Sequence, residues 1–134
     1  MPLVWADNIE QITEENANFR KVVWTGAHSE LTLMSLAPGE EIGLEVHPDH
    51  DQFLRFEAGK AQVKAGPARD NLNETVDVEH DWACIIPAGT WHNVINTGGE
   101  PLKLYTVYSP ANHAPGTVHR TKAEADAAEA EEHR

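Results

Sequence analysis

Cysteine is almost absent. The single Cys84 in 134 residues cannot close an intramolecular disulfide, which agrees with a reducing compartment. Positive charge is scarce as well, with ten Lys and Arg against twenty-two Asp and Glu for a net charge of −12. Such an acidic field repels phosphate backbones and anionic lipid, and no basic stripe with interleaved aromatics is present. Nucleic-acid and membrane-surface binding are therefore not expected. No apolar run approaches the roughly 20 residues of a membrane helix, and residues 1–7 lack the basic-then-apolar shape of a signal peptide. The expectation is a cytoplasmic protein whose partner is a small molecule. With 40% hydrophobic and 24% charged residues, the chain has ordinary globular composition and a length suited to one core. What it has in excess is histidine: eight, each able to bind metal when neutral.

Short runs rich in β-branched and aromatic residues predict strands at 21–25, 31–36, 42–47, 53–56, 61–65, 75–78, 83–86, 92–96 and 102–108. Turn chemistry separates them, for example Ala37-Pro38-Gly39, His47-Pro48-Asp49, Pro87-Ala88-Gly89 and Thr97-Gly98-Gly99. Regularly spaced strands without intervening helices argue for an all-β sandwich or barrel. Ahead of them, Ile9 and Ile12 are three apart in a polar stretch that suits one or two helical turns. Behind them, residues 121–134 are strong helix formers, with Thr121 as N-cap and Glu124 completing a capping box. That helix has almost no large apolar residue, so it is expected to lie in solvent. The organisation reads as a lead-in over 1–20, a barrel over 21–110, and a lid segment with an acidic helical tail over 111–134.

Glu45 and His47 stand two apart on an expected strand and so project from one face, an oxygen and a nitrogen donor side by side. After the Pro48-Asp49 turn, an antiparallel return brings Gln52 toward the same pair. His92 follows the tight turn Pro87-Ala88-Gly89, and a barrel would bring it inward.

Gly39, Glu45, His47, Gln52 and Gly59 fall on the spacing of the first cupin motif, and Pro87, Gly89, His92 and Asn96 reproduce the second. Over roughly residues 31–108 the chain resembles the cupins. More narrowly it resembles small, mostly uncharacterised bacterial members, some of which carry a sugar-phosphate isomerase label. The resemblance implies a double-stranded β-helix, the jelly-roll barrel, with a metal held inside by three histidines and one carboxylate. Three positions depart from that pattern: Glu45 replaces a histidine, Gln52 replaces the glutamate, and Asp81 replaces the glycine that opens the second motif. Glu45, His47 and His92 would then form a two-histidine, one-carboxylate face suited to one divalent Fe, Mn, Ni, Co or Zn ion. Gln52 would either add a neutral carbonyl oxygen or orient a bound water. The ligand charge stays at −1, so the double exchange does not imply loss of the metal.

Around this set, His50 and Asp51 are further donors in the turn, although turn residues more commonly bond their own backbone. His113 and His119 lie in a Pro- and Gly-punctuated segment that is either a lid over the barrel mouth or a surface tail. Arg20, Lys21 and Arg55 are the cations to consider for an anionic substrate, with surface pairing as the commoner role. Trp24, Phe53, Phe56, Trp82, Trp91, Tyr105 and Tyr108 are expected to be mostly core. Cys84 is read as a buried small hydrophobe without a neighbour to activate it.

The functional expectation is a divalent-metal-binding protein acting on a small, oxygen-rich metabolite by isomerase, lyase or oxygenase chemistry. The competing expectations are a non-catalytic binding module built on the same residues and a purely structural metal. Exposed edge strands lead to the expectation of a homodimer.

Overall fold

A computed structural model describes residues 3–132. The elements run α1 (Ile9–Glu15), β1 (Arg20–Thr25), β2 (Glu30–Leu36), β3 (Asp51–Ala58), β4 (Lys60–Gly66), β5 (Glu74–Glu79), β6 (Ala83–Ile86), β7 (Trp91–Asn96), β8 (Leu102–Ser109), β9 (Val118–His119) and α2 (Lys122–Glu132). One sheet has six strands in the order β6-β3-β8-β2-β1-β9, and a second has three in the order β5-β4-β7. All pairings are antiparallel, and the inner faces of the two sheets share one core, giving the all-β jelly-roll barrel expected from the pattern.

Alternation explains which side chains enter. β8 buries Leu102, Leu104, Thr106 and Tyr108, while β3 buries Gln52, Leu54 and Phe56. Register then matches like with like: Glu30 stands opposite Tyr108, Thr32 opposite Thr106, Met34 opposite Leu104 and Leu36 opposite Leu102. One end of the interior is thus apolar, and the other is lined by buried polar side chains.

The expected strand at 42–47 is not a regular strand. Gly43 sits in the left-handed region with φ 111°, and the segment is joined to β7 only through bridges at Glu41 and Glu45. The Gly43 amide donates instead to Asn93 Oδ1 at 2.9 Å. The chain nevertheless runs antiparallel to β7, with Ile42 N–H bonded to the Val94 carbonyl at 2.9 Å.

The C-terminal helix departs further from expectation. Glu124 N–H donates to Thr121 Oγ1 at 3.1 Å, as a capping residue requires. Instead of lying free in solvent, α2 buries Ala125 in the core cluster, and Lys122 Nζ reaches the Ile42 carbonyl at 3.5 Å. Alanine is small enough to let the helix axis approach the barrel, so a face without large apolar residues still docks. His133 and Arg134, the end of the expected helix, lie outside the described residues. The preceding segment contributes β9, a two-residue strand paired with β1 that no periodicity signalled.

Candidate functional site

Glu45 and His92 face each other across a reciprocal pair of backbone hydrogen bonds, Glu45 N–H to the His92 carbonyl at 3.0 Å and the reverse at 2.9 Å. Directly opposed residues project to the same side, and His47 follows Glu45 by two positions. Local pairing alone therefore brings the three side chains together. Glu45 Oε1 lies 3.4 Å from His47 Nε2 and 3.6 Å from His92 Nε2. All three atoms lie within 4.8 Å of one another, all are buried, and none makes a hydrogen bond.

Buried polar atoms are nearly always partnered, so three converging orphans call for a common partner. One carboxylate and two imidazoles are the donor set of a divalent transition ion. One of the three side chains is also held from outside the cluster. His92 Nδ1 lies 2.9 Å from the Thr90 carbonyl, which can only accept, so Nδ1 carries a proton and Nε2 is the nitrogen turned toward the cluster. Burial pushes the Glu45 carboxyl up, but the imidazoles of His47 and His92 more than reverse this and hold it at about 2.

Gln52 is also fully buried. Its Nε2 donates to Thr106 Oγ1 at 3.0 Å, which leaves Oε1 buried without a partner. Its strand neighbour Tyr108 packs edge-on against the His47 ring, centroids 5.6 Å apart. The Tyr108 hydroxyl is buried and unpartnered, and burial, with Glu45 adding to it, drives that phenol strongly toward the protonated form.

The segment after β8 covers this end of the barrel. Asn112, His113 and His119 line a cavity of about 200 Å³ with Glu45, His47 and Arg20, and α2 closes one side with Ala125 and Ala128. The segment's anchor is Glu30, whose carboxylate is fully buried and accepts from His113 Nδ1 at 2.8 Å, His113 N–H at 2.7 Å, Asn112 N–H at 2.9 Å and Thr32 Oγ1 at 2.7 Å. Burial alone would raise the Glu30 carboxyl; these donors outweigh it and lower it. Glu30 escaped the motif reading, yet the alternation Glu30, Thr32, Met34, Leu36 put a carboxylate on a buried strand face, a signal in itself.

Other candidates lie elsewhere. Asp51 accepts from Ala88 N–H at 2.9 Å and so braces the turn before β7. His50 contacts the Ala111 carbonyl at 3.0 Å and falls outside the three-residue cluster. Arg55 is half-buried and paired with Asp81 at 3.3 Å and Glu57 at 3.6 Å, and Lys21 is exposed. Asn96 bonds the Leu36 and Glu100 carbonyls and the Gly98 amide, closing the β7–β8 turn. The aromatic residues are not mostly core: Phe56 and Tyr108 are buried, whereas Trp24 and Trp82 are exposed and Phe53 packs on Tyr105 on the outer face. Cys84 packs partly buried against the core, and burial pushes its thiol up to about 11.

The family model for the cupin domain matches residues 32–108. The chain belongs to the cupin family. The uncharacterized protein YrkC of Bacillus subtilis is 56% identical over 128 residues, 96% of this cupin and 69% of that protein. The uncharacterized protein L612 of Acanthamoeba polyphaga mimivirus is 45% identical over 117 residues, 86% of this chain and 71% of its own. A crystal structure from Bacillus halodurans superposes with a TM-score of 0.92 at 54% identity, covering 94% of this cupin and 96% of that chain. Asp81, at the position of the motif glycine, keeps the glycine-like conformation with φ 72°, so that departure alters only a turn. No helix of the described residues is long and apolar enough to cross a membrane.

Proposed function

We propose that this cupin binds one divalent transition metal through Glu45, His47 and His92, with the Gln52 carbonyl oxygen as a further donor, and acts on a small, oxygen-rich metabolite. The observation that carries the reading is the set of three buried, mutually close and unbonded atoms, Glu45 Oε1, His47 Nε2 and His92 Nε2. The unpartnered Gln52 Oε1 supports the fourth donor.

A bound ion would supply Lewis acidity toward a carbonyl or hydroxyl oxygen. The chain's own residues do the rest. Thr90 fixes the His92 tautomer, and Tyr108 props the His47 ring from behind. Glu45 contributes the single negative charge, and the segment carrying Asn112 and His113 narrows the entrance and limits water. Glu30 holds that segment down and stands apart from the ligand atoms.

Elemental analysis of protein purified without a tag or chelator tests the reading, run on wild type and on Glu45→Ala. Near-stoichiometric Fe, Mn, Ni, Co or Zn in wild type, lost in the variant, is the expected result. No metal, and no uptake on titration, would overturn it. Turnover that disappears on chelation separates an enzyme from a binding module, which would hold ligand and convert none. We further infer a cytoplasmic homodimer. The edge strand β6 supports this by exposing Ile85 beside Trp82, and light scattering should give twice the chain mass of 14.8 kDa.

A further inference from the structure

We propose that Arg20 is the anchor for a carboxylate of the small molecule taken up beside the Glu45–His47–His92 cluster. This rests on the metal-centre reading for the ligand's other contact and names the class of substrate that centre would take.

Arg20 is only 8% exposed, yet no ion pair joins it to a carboxylate of the described residues, in a chain with twenty-two acidic side chains. Its Nη1 lies 3.2 Å from His119 Nδ1, its strand partner across β1 and β9, and its guanidinium carbon sits 5.4 Å from the Phe19 ring centroid. Its Nε is buried and has no hydrogen-bond partner. An arginine held this way keeps its charge, and burying a charge without a counter-charge is costly. Structural arginines are normally paired; this one lines the same cavity as Glu45 and His47.

The cavity geometry limits what can supply the missing charge. About 200 Å³ is below the usual size of a site for a drug-sized ligand and suits a small metabolite. A guanidinium suits a planar carboxylate, which accepts paired N–H donors in its own plane. Asn112 and His113 line the same cavity, and so does the exposed, acidic Glu129, whose charge disfavours multiply charged anions. A 2-hydroxy acid or 2-oxo acid would meet both ends at once, its carboxylate at Arg20 and its neighbouring oxygen toward the cluster.

The test titrates glycolate, glycolamide and inorganic phosphate by ligand-observed NMR into EDTA-stripped and Zn(II)-loaded wild type, Arg20→Gln and Arg20→Lys. Glycolate should bind wild type in both states, and Arg20→Gln should weaken it by about tenfold or more without changing zinc stoichiometry. Arg20→Lys should recover part of the loss, and glycolamide should bind wild type at least about tenfold more weakly than glycolate. Glycolate affinity within about twofold of wild type in Arg20→Gln would overturn the proposal. Equal binding of glycolamide and glycolate, no glycolate binding in either state, or saturation by phosphate alone would each do the same. The amide comparison needs only wild type and holds even if Arg20→Gln fails to fold. Failure of the metal reading shows separately, as absence of zinc uptake, while the stripped protein still reports on Arg20.

Discussion

The inward rows of this barrel change character along their length. On β2 the row runs Glu30, Thr32, then Met34, Leu36; on β8 it runs Tyr108, Thr106, then Leu104, Leu102; on β3 Gln52 gives way to Leu54 and Phe56, and on β7 His92 gives way to Val94. Both ends use the same strands, the same register and the same alternation. The apolar end fills with side chains whose burial stabilises the fold by about 1.5–3 kcal/mol each. At the polar end, Glu45, His47, His92, Gln52, Tyr108 and Arg20 all keep at least one buried atom without a partner, which costs stability. A barrel of this size thus separates a stabilising half from a half whose buried polar atoms go unpartnered, and the split falls within a single residue pair of the ladder.

The comparison breaks most visibly at the apolar end. Phe56→Ala should cost about 3–5 kcal/mol in chemical denaturation while the folded fraction keeps wild-type metal stoichiometry. A variant that lost metal as readily as stability would show the two ends to be one unit.

At the polar end, His113→Ala should cost about 2–4 kcal/mol at neutral pH, because it strips the buried Glu30 carboxylate of its strongest donor. Acid removes the difference. Glu30 is depressed in the folded protein, so its contribution in wild type is complete above its ordinary pKa of 4.5 and is lost as the pH falls through the lower folded value. In the variant, protonation relieves the buried charge instead, so the gap between variant and wild type should close on acidification. A gap that stays constant down to the acid transition would contradict the buried-pair argument.

Added metal sharpens the contrast in the other direction. At an ion concentration a hundredfold above its dissociation constant, wild type should gain about 2.7 kcal/mol and Glu45→Gln nothing, read as shifts in thermal midpoint. The smallest effect lies outside both ends: Asp81→Ala should cost about 1 kcal/mol, since alanine tolerates the left-handed turn less well, with metal content unchanged.

Much of the fold was legible because period-two alternation reports directly on a half-buried strand. The cluster was legible because Glu45, His47 and His92 are set by local pairing, i to i+2 and across one bridge. What the sequence concealed depends on tertiary contact. The segment 42–47 looked like a strand until Gly43 bent it, and α2 looked solvent-exposed because its docking face is alanine. Arg20 looked like a surface cation because its burial comes from His119, ninety-nine residues away. Glu30 was visible in the alternation of β2, but a motif search centred on histidine passes over it.

The most direct measurement is an anomalous difference map from crystals of this cupin soaked with Mn(II) or Zn(II). The expected result is one strong peak about 2.0–2.2 Å from Glu45 Oε1, His47 Nε2 and His92 Nε2. A map with no peak at that point, or with its only peak bound by other residues, would contradict the assignment of the polar end as a metal centre.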